Sequence, residues 1–187
     1  LKQNGNGTYA VVKHSKTFED INTNWAKKDI ELLASKLVVN GVNGTQFIPD
    51  GKVTRAEYVA LLVRALGLIT EETQSSTFKD IKKNDWYYSV VQTACDLGLV
   101  NGMEDGTFKP DRPISREEMA ALIMRAMKFI ASQTGEPSYD TGILNSFKDA
   151  ESISGWARES AALAVENGII SGRQDNRFAP DDNATRA

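Results

Sequence analysis

One pattern is written three times in this chain, and it constrains the fold more than any bulk property. Trp25, Trp86 and Trp156, the three tryptophans present, each stand 22 residues before a phenylalanine: Phe47, Phe108 and Phe178. Eight residues after each phenylalanine comes an arginine behind a hydroxyl residue: Thr54-Arg55, Ser115-Arg116 and Thr185-Arg186. A unit of this kind is too small to bury its apolar face alone, so the copies must pack on one another.

Each unit opens on Phe-x-Asp: Phe18-Glu19-Asp20, Phe78-Lys79-Asp80 and Phe147-Lys148-Asp149. Seven, eight or nine residues later the tryptophan is expected to begin a helix. Trp25, Ile30, Leu33, Ala34 and Leu37 share one helical face, as do Trp86, Val90, Val91, Ala94 and Leu97, and then Trp156, Ser160, Leu163 and Ala164. Asn40-Gly41, Gly98 and Gly168 are the predicted stops. A loop of near-constant length follows, from Gly41, Gly102 or Gly172 to the phenylalanine, with Asn, Asp and Gly at its middle for a tight turn. Pro49-Asp50, Pro110-Asp111 and Pro180-Asp181 then fix the approach to a second helix. Thr54-Arg55-Ala56-Glu57 and Ser115-Arg116-Glu117-Glu118 are capping boxes, in which hydroxyl and glutamate satisfy free backbone donors reciprocally. The apolar runs Tyr58 to Leu66 and Met119 to Met127 predict buried, central helices.

The predicted organisation is all-α, three helix-loop-helix repeats over residues 18–69, 77–131 and 146–187, after a segment 1–17. Gly7 to Val12 is β-prone and reads as a strand remnant of a preceding domain. The chain opens on Leu1, as a processed or excised fragment would, and the third unit stops at Ala187 before its second helix. Either a longer chain supplies that helix or another molecule does, and the first is the expectation.

A net charge of -3 and a pI near 5.3 argue against a nucleic-acid binder. No apolar run approaches the roughly 18 residues that span a membrane, so insertion is not expected. Cys95 has no partner for an internal disulfide. His14 is the sole histidine and lies outside the repeats, which leaves no Ser/His or Cys/His pairing, and no enzyme or cofactor is expected. Asp105-Gly106 and Asp175-Asn176 raise a calcium-loop reading, but counting from Asn101 puts Met103 where an oxygen ligand is needed, so no metal site is assigned. A helical protein-interaction scaffold is the other alternative. Its usual periods of roughly 34 to 47 residues are shorter than these.

The Phe-x-Asp phrase, the helix-opening tryptophan, the Gly-x-x-x-Gly-x-Phe-x-Pro-Asp loop and the Thr/Ser-Arg-Ala/Glu-Glu box together resemble the S-layer homology repeat, over about residues 18 to 187. The resemblance implies a pseudo-threefold, three-pronged helical unit, a pseudo-trimer within one chain, completed by residues beyond Ala187. It implies an extracellular, non-catalytic anchor in the cell wall or S-layer, with an upstream cargo domain in the same polypeptide. The implied ligand is a secondary cell-wall polysaccharide, often pyruvylated, held in grooves between repeats. Arg55, Arg116 and Arg186, at helix starts, are the expected carboxylate binders, since a cation gains nothing from the helix dipole there. Salt bridges to Asp50, Asp111 or Asp181 are the plainer account, and those aspartates join the candidate set. For Trp25, Trp86 and Trp156 two readings stand: core packing, which contributes roughly 2–3 kcal/mol each, and one wall of a sugar groove. Gly41, Gly102 and Gly172 are expected to serve turn geometry, or to let a sugar reach the backbone. Phe47, Phe108 and Phe178 are expected in the core.

Overall fold

The computed structural model describes residues 13–68, 78–131 and 140–187; the β-prone segment Gly7 to Val12 lies outside them, as do residues 69–77 and 132–139. Among the described residues there are five α-helices: α1 Lys27–Ser35, α2 Arg55–Ala65, α3 Tyr88–Asp96, α4 Arg116–Ala131 and α5 Arg158–Glu166. Short 3-10 turns stand at Glu19–Ile21, Thr141–Ser146 and Ala150–Ser152. The described residues divide into two compact units, residues 13–49 with Ala187, and those within residues 50–186.

In the smaller unit α1 buries Ile30 and Ala34 on Phe18, Ile21, Ala26 and Phe47. The helix ends at Ser35, and Leu37 stands past it with φ 61. This corrects the stop expected at Asn40-Gly41. Gly98 and Gly168 hold the same place beyond α3 and α5, with φ 68 and 66. All three ends return the next N–H to a carbonyl five residues back: Val38 to Leu33, Leu99 to Ala94, Ile169 to Ala164. Repeat 1 therefore puts a leucine where a left-handed C-cap favours glycine.

In the larger unit the capping boxes form as read. Thr54 Oγ1 accepts from the Glu57 N–H at 3.2 Å while Glu57 takes the Thr54 N–H at 2.8 Å, and Ser115 and Glu118 do the same for α4. The residues before the arginines build a feature that the sequence reading did not foresee. Val53 N–H donates to Ala184 O, Ala184 N–H to Ile114 O, and Ile114 N–H to Val53 O, at 2.9–3.0 Å. Three single bridges, Lys52 with Thr185, Thr54 with Pro113 and Ser115 with Asn183, complete this closed ring. Its cyclic order is the threefold repetition made physical. Val53, Ile114 and Ala184 are all buried at it. Around it α2 and α3 share one apolar cluster with Phe78 and Phe108; α4 and α5 share another with Phe147 and Phe178.

The central phenylalanines are buried as expected, but the tryptophans are not core. Trp25, Trp86 and Trp156 are 82%, 60% and 56% exposed. Each sits in the turn before its helix rather than in the helix, so the 3.6-residue stripe that grouped it with apolar neighbours does not extend to it. Leu33, Leu37 and Leu97 on those predicted stripes are exposed as well.

Candidate functional site

The larger unit holds a groove of about 470 Å³, lined by Arg55, the loop Asn101–Glu104, the α4 residues Glu118, Ala121, Leu122 and Arg125, and Trp156. All three repeats contribute a wall.

The loop is held by its own repeat. Asp80 accepts the N–H groups of Phe108 and Lys109 at 2.8 and 2.7 Å. Lys109 has φ 56 just before Pro110, a strained left-handed conformation for a non-glycine residue, and the carboxylate offsets that strain with two charge-assisted bonds. Asp20 does the same for Phe47 and Ile48, and Asp149 for Phe178 and Ala179, which explains the repeated Phe-x-Asp. The two phenylalanines of repeat 2 pack with ring centroids 5.3 Å apart. Gly102 is needed because a Cβ there would stand 2.4 Å from Phe78 Cε1; Gly41 against Phe18 and Gly172 against Phe147 are alike. None of the three has positive φ, so the expected turn-geometry role is replaced by close approach of a ring.

Arg55 is buried over the Phe108 ring, its guanidinium carbon 4.9 Å from the centroid. Its Nε donates to Phe108 O at 3.0 Å, Nη2 to Asn101 O at 3.3 Å and Nη1 to Glu118 Oε1 at 2.9 Å. Arg116 is the copy: Nε to Phe178 O and Nη2 to Ser171 O, both at 2.9 Å. Each of these box arginines clamps the loop of the next repeat. Glu118, besides capping α4, pairs with Arg55 and Arg112. Burial would raise its carboxyl, but the Ser115 N–H and the Arg112 and Arg55 guanidiniums outweigh burial and hold it below the usual value. Arg186 Nη1 stands 3.9 Å from Glu57, the cyclic equivalent of the Arg55–Glu118 pair. The ion pairing expected with Asp50, Asp111 or Asp181 is thus replaced, for Arg55, by a glutamate from the neighbouring repeat. Those three aspartates are exposed and do not line the groove.

Of the candidate residues, the groove brings together Arg55, Gly102 and Trp156. Gly41 borders a separate cavity of about 210 Å³ in the smaller unit, with Phe18, Ala34 and Val39. Trp86 packs edge-on against Tyr87 at 5.3 Å, outside the groove. The residue that sequence reasoning missed is Arg125. Half-buried on α4, its guanidinium is pushed below the ordinary value by desolvation alone. It has no acidic partner among the described residues, and its charge is felt by Arg55. A signal existed: Arg125 lies nine residues after Arg116 in an apolar helix, and Arg64 lies nine after Arg55.

The model of the S-layer homology domain matches this chain at residues 17–59, 77–120 and 146–187. The chain belongs to the S-layer homology domain family. Among relatives, the "Amylopullulanase" of Thermoanaerobacterium thermosulfurigenes is 43% identical over 180 residues, 96% of this chain but 9% of that protein. The "S-layer protein sap" of Bacillus anthracis is 30% identical over 178 residues, 95% of this chain and 21% of that protein. The "Cellulosome-anchoring protein" of Acetivibrio thermocellus is 30% identical over 152 residues, 80% of this chain and 33% of that protein. The chain spans a third or less of the length of these relatives. Because it aligns almost throughout with an S-layer protein and an enzyme-named protein alike, what they share is the anchoring module and not the catalysis. The S-layer homology module is extracellular and associated with the cell wall.

Proposed function

We propose that this S-layer homology module anchors its polypeptide by binding an acidic cell-wall polysaccharide, a pyruvylated one, in the groove between repeats. One observation carries the reading: Arg125 is a half-buried cation without an acidic partner among the described residues, facing a groove of about 470 Å³ beside Trp156. A desolvated guanidinium favours a carboxylate that can bond two of its donors. A half-exposed indole offers a flat apolar face to the ring of a sugar. Arg55 borders the same groove with Nε, Nη1 and Nη2 each already bonded, so it supports the loop and adds positive potential. Arg116 and Gly172 are proposed to serve an equivalent site within the larger unit, with Asp50, Asp111 and Asp181 as outer contacts; Arg186 there, and separately Trp25 and Gly41 of the smaller unit, are proposed as further ligand contacts. The relatives' greater lengths support a cargo domain in the same polypeptide.

Sedimentation with purified Gram-positive walls tests this directly. The chain is expected to co-sediment with intact walls and to stay in solution with walls stripped of their attached polymer by hydrofluoric acid. Equal retention on both contradicts the reading.

A further inference from the structure

Repeats 1 and 2 hold their tryptophan turns with the residue just before the tryptophan. In repeat 1 the Asn24 Oδ1 accepts the Ala26 N–H at 2.9 Å. In repeat 2 the Asp85 carboxylate accepts the Lys82 N–H at 2.7 Å. Repeat 3 has Gly155 at that place, with no side chain to do this and open space where a Cβ would go. Its turn also starts one residue earlier: Ser154 O accepts from the Ala157 and Arg158 N–H groups at 2.8 and 3.2 Å. The spacing from Phe147 to Trp156 is also the longest of the three.

A second repeat supplies the missing anchor. Glu117, in the first turn of α4, is only 6% exposed. Its carboxylate accepts the Ser154 N–H at 3.0 Å and the Ser154 hydroxyl at 2.9 Å. Its backbone N–H donates to Pro180 O at 3.1 Å, so one residue grips two segments of repeat 3. The matching position in repeat 1 is Ala56, which cannot form such a bond. A buried carboxylate here is tolerated because it meets two donors at the positive end of α4.

We infer that Glu117 is a positioning residue for the groove: through Ser154 it fixes the turn that presents Trp156 to the ligand. The inference rests on the proposed binding role of that groove. It makes this wall answer to α4, the helix that also carries Glu118 and Arg125, whereas the Trp25 and Trp86 turns are anchored by their own repeats. Losing the grip leaves Trp156 to be ordered by the ligand, which costs about tenfold in affinity for one large side chain.

The test uses the 187-residue chain with fluorine-labelled tryptophan, in wild-type, Glu117→Ala and Glu117→Gln forms. Gln keeps an oxygen for the Ser154 N–H, so it should resemble wild type. In the Ala variant the Trp156 fluorine resonance should shift or broaden while those of Trp25 and Trp86 hold still. Affinity for the methyl glycoside of pyruvylated N-acetylmannosamine should fall about tenfold in Ala and be retained in Gln. An unmoved Trp156 resonance in the Ala variant overturns the inference, as does equal movement of all three resonances. Arg125→Gln serves as the arm for the binding reading itself. If wild type and Arg125→Gln ignore the glycoside alike, that reading fails, whereas the free-protein spectra still decide the role of Glu117.

Discussion

Arg55→Ala should unfold the module far more readily than it alters any single ligand contact. Arg55 is buried and bonds two main-chain carbonyls and the Glu118 carboxylate. Breaking a buried ion pair from one side costs about 3–5 kcal/mol because the other charge is stranded. Here Arg112 still faces Glu118, which places the loss near the lower end, about 3 kcal/mol. For a domain of this size about 3 kcal/mol corresponds to a drop of roughly 6–12 °C in Tm. Arg55→Lys should recover little, because one ammonium cannot reproduce a fork that spans Phe108 O, Asn101 O and Glu118. Urea unfolding followed by helical circular dichroism, in parallel with Arg125→Gln, measures both. Arg125→Gln should stay within about 0.5 kcal/mol of wild type, since no described partner is lost. If Arg55→Ala is that mild too, the clamp is not structural and the reasoning fails.

Leu37→Gly should stabilise the smaller unit by about 0.5–1 kcal/mol, relieving a left-handed leucine that is largely exposed; a loss of stability in thermal melts argues against the C-cap comparison. Gly102→Ala should cost about 1–3 kcal/mol, as its Cβ would fall 2.4 Å from Phe78 Cε1 and 2.9 Å from Thr107 O; a neutral effect in urea unfolding counts against the ring-approach account. Glu118 has a carboxyl lowered in the folded state, so its stabilisation is full above the unfolded value of about 4.3 and is lost as pH falls through the folded one. Wild type should therefore lose more stability between about pH 6 and 3 than Glu118→Gln does, and parallel pH profiles would remove Glu118 from the acid response.

The repeat spacing made much of the fold legible. The hydroxyl and glutamate of each box write its cap directly, and Phe47, Phe108 and Phe178 sit in the core because aromatic residues at fixed register in short loops have nowhere else to bury. The ring through Val53, Ile114 and Ala184 was not legible, because three segments far apart in sequence make it with main-chain groups that carry no residue signature. Trp25, Trp86 and Trp156 misled because a helical stripe was carried one turn past the true helix start. For the site, the box arginines were noticed for their repetition, yet Arg55 and Arg116 are repeated because they clamp loops. Arg125 looked like one cation among many; only burial without a described counter-charge separates it from the rest.

Arg125 is proposed to meet the acid group of a wall glycan beside Trp156. A chemical double-mutant cycle by calorimetry tests it, pairing wild type and Arg125→Gln with a pyruvylated glycan fragment and the same fragment lacking the pyruvyl group. Either change alone should weaken binding about tenfold or more, and the second should add almost nothing to the first. Independent, additive losses would show that the carboxylate is bound somewhere other than Arg125.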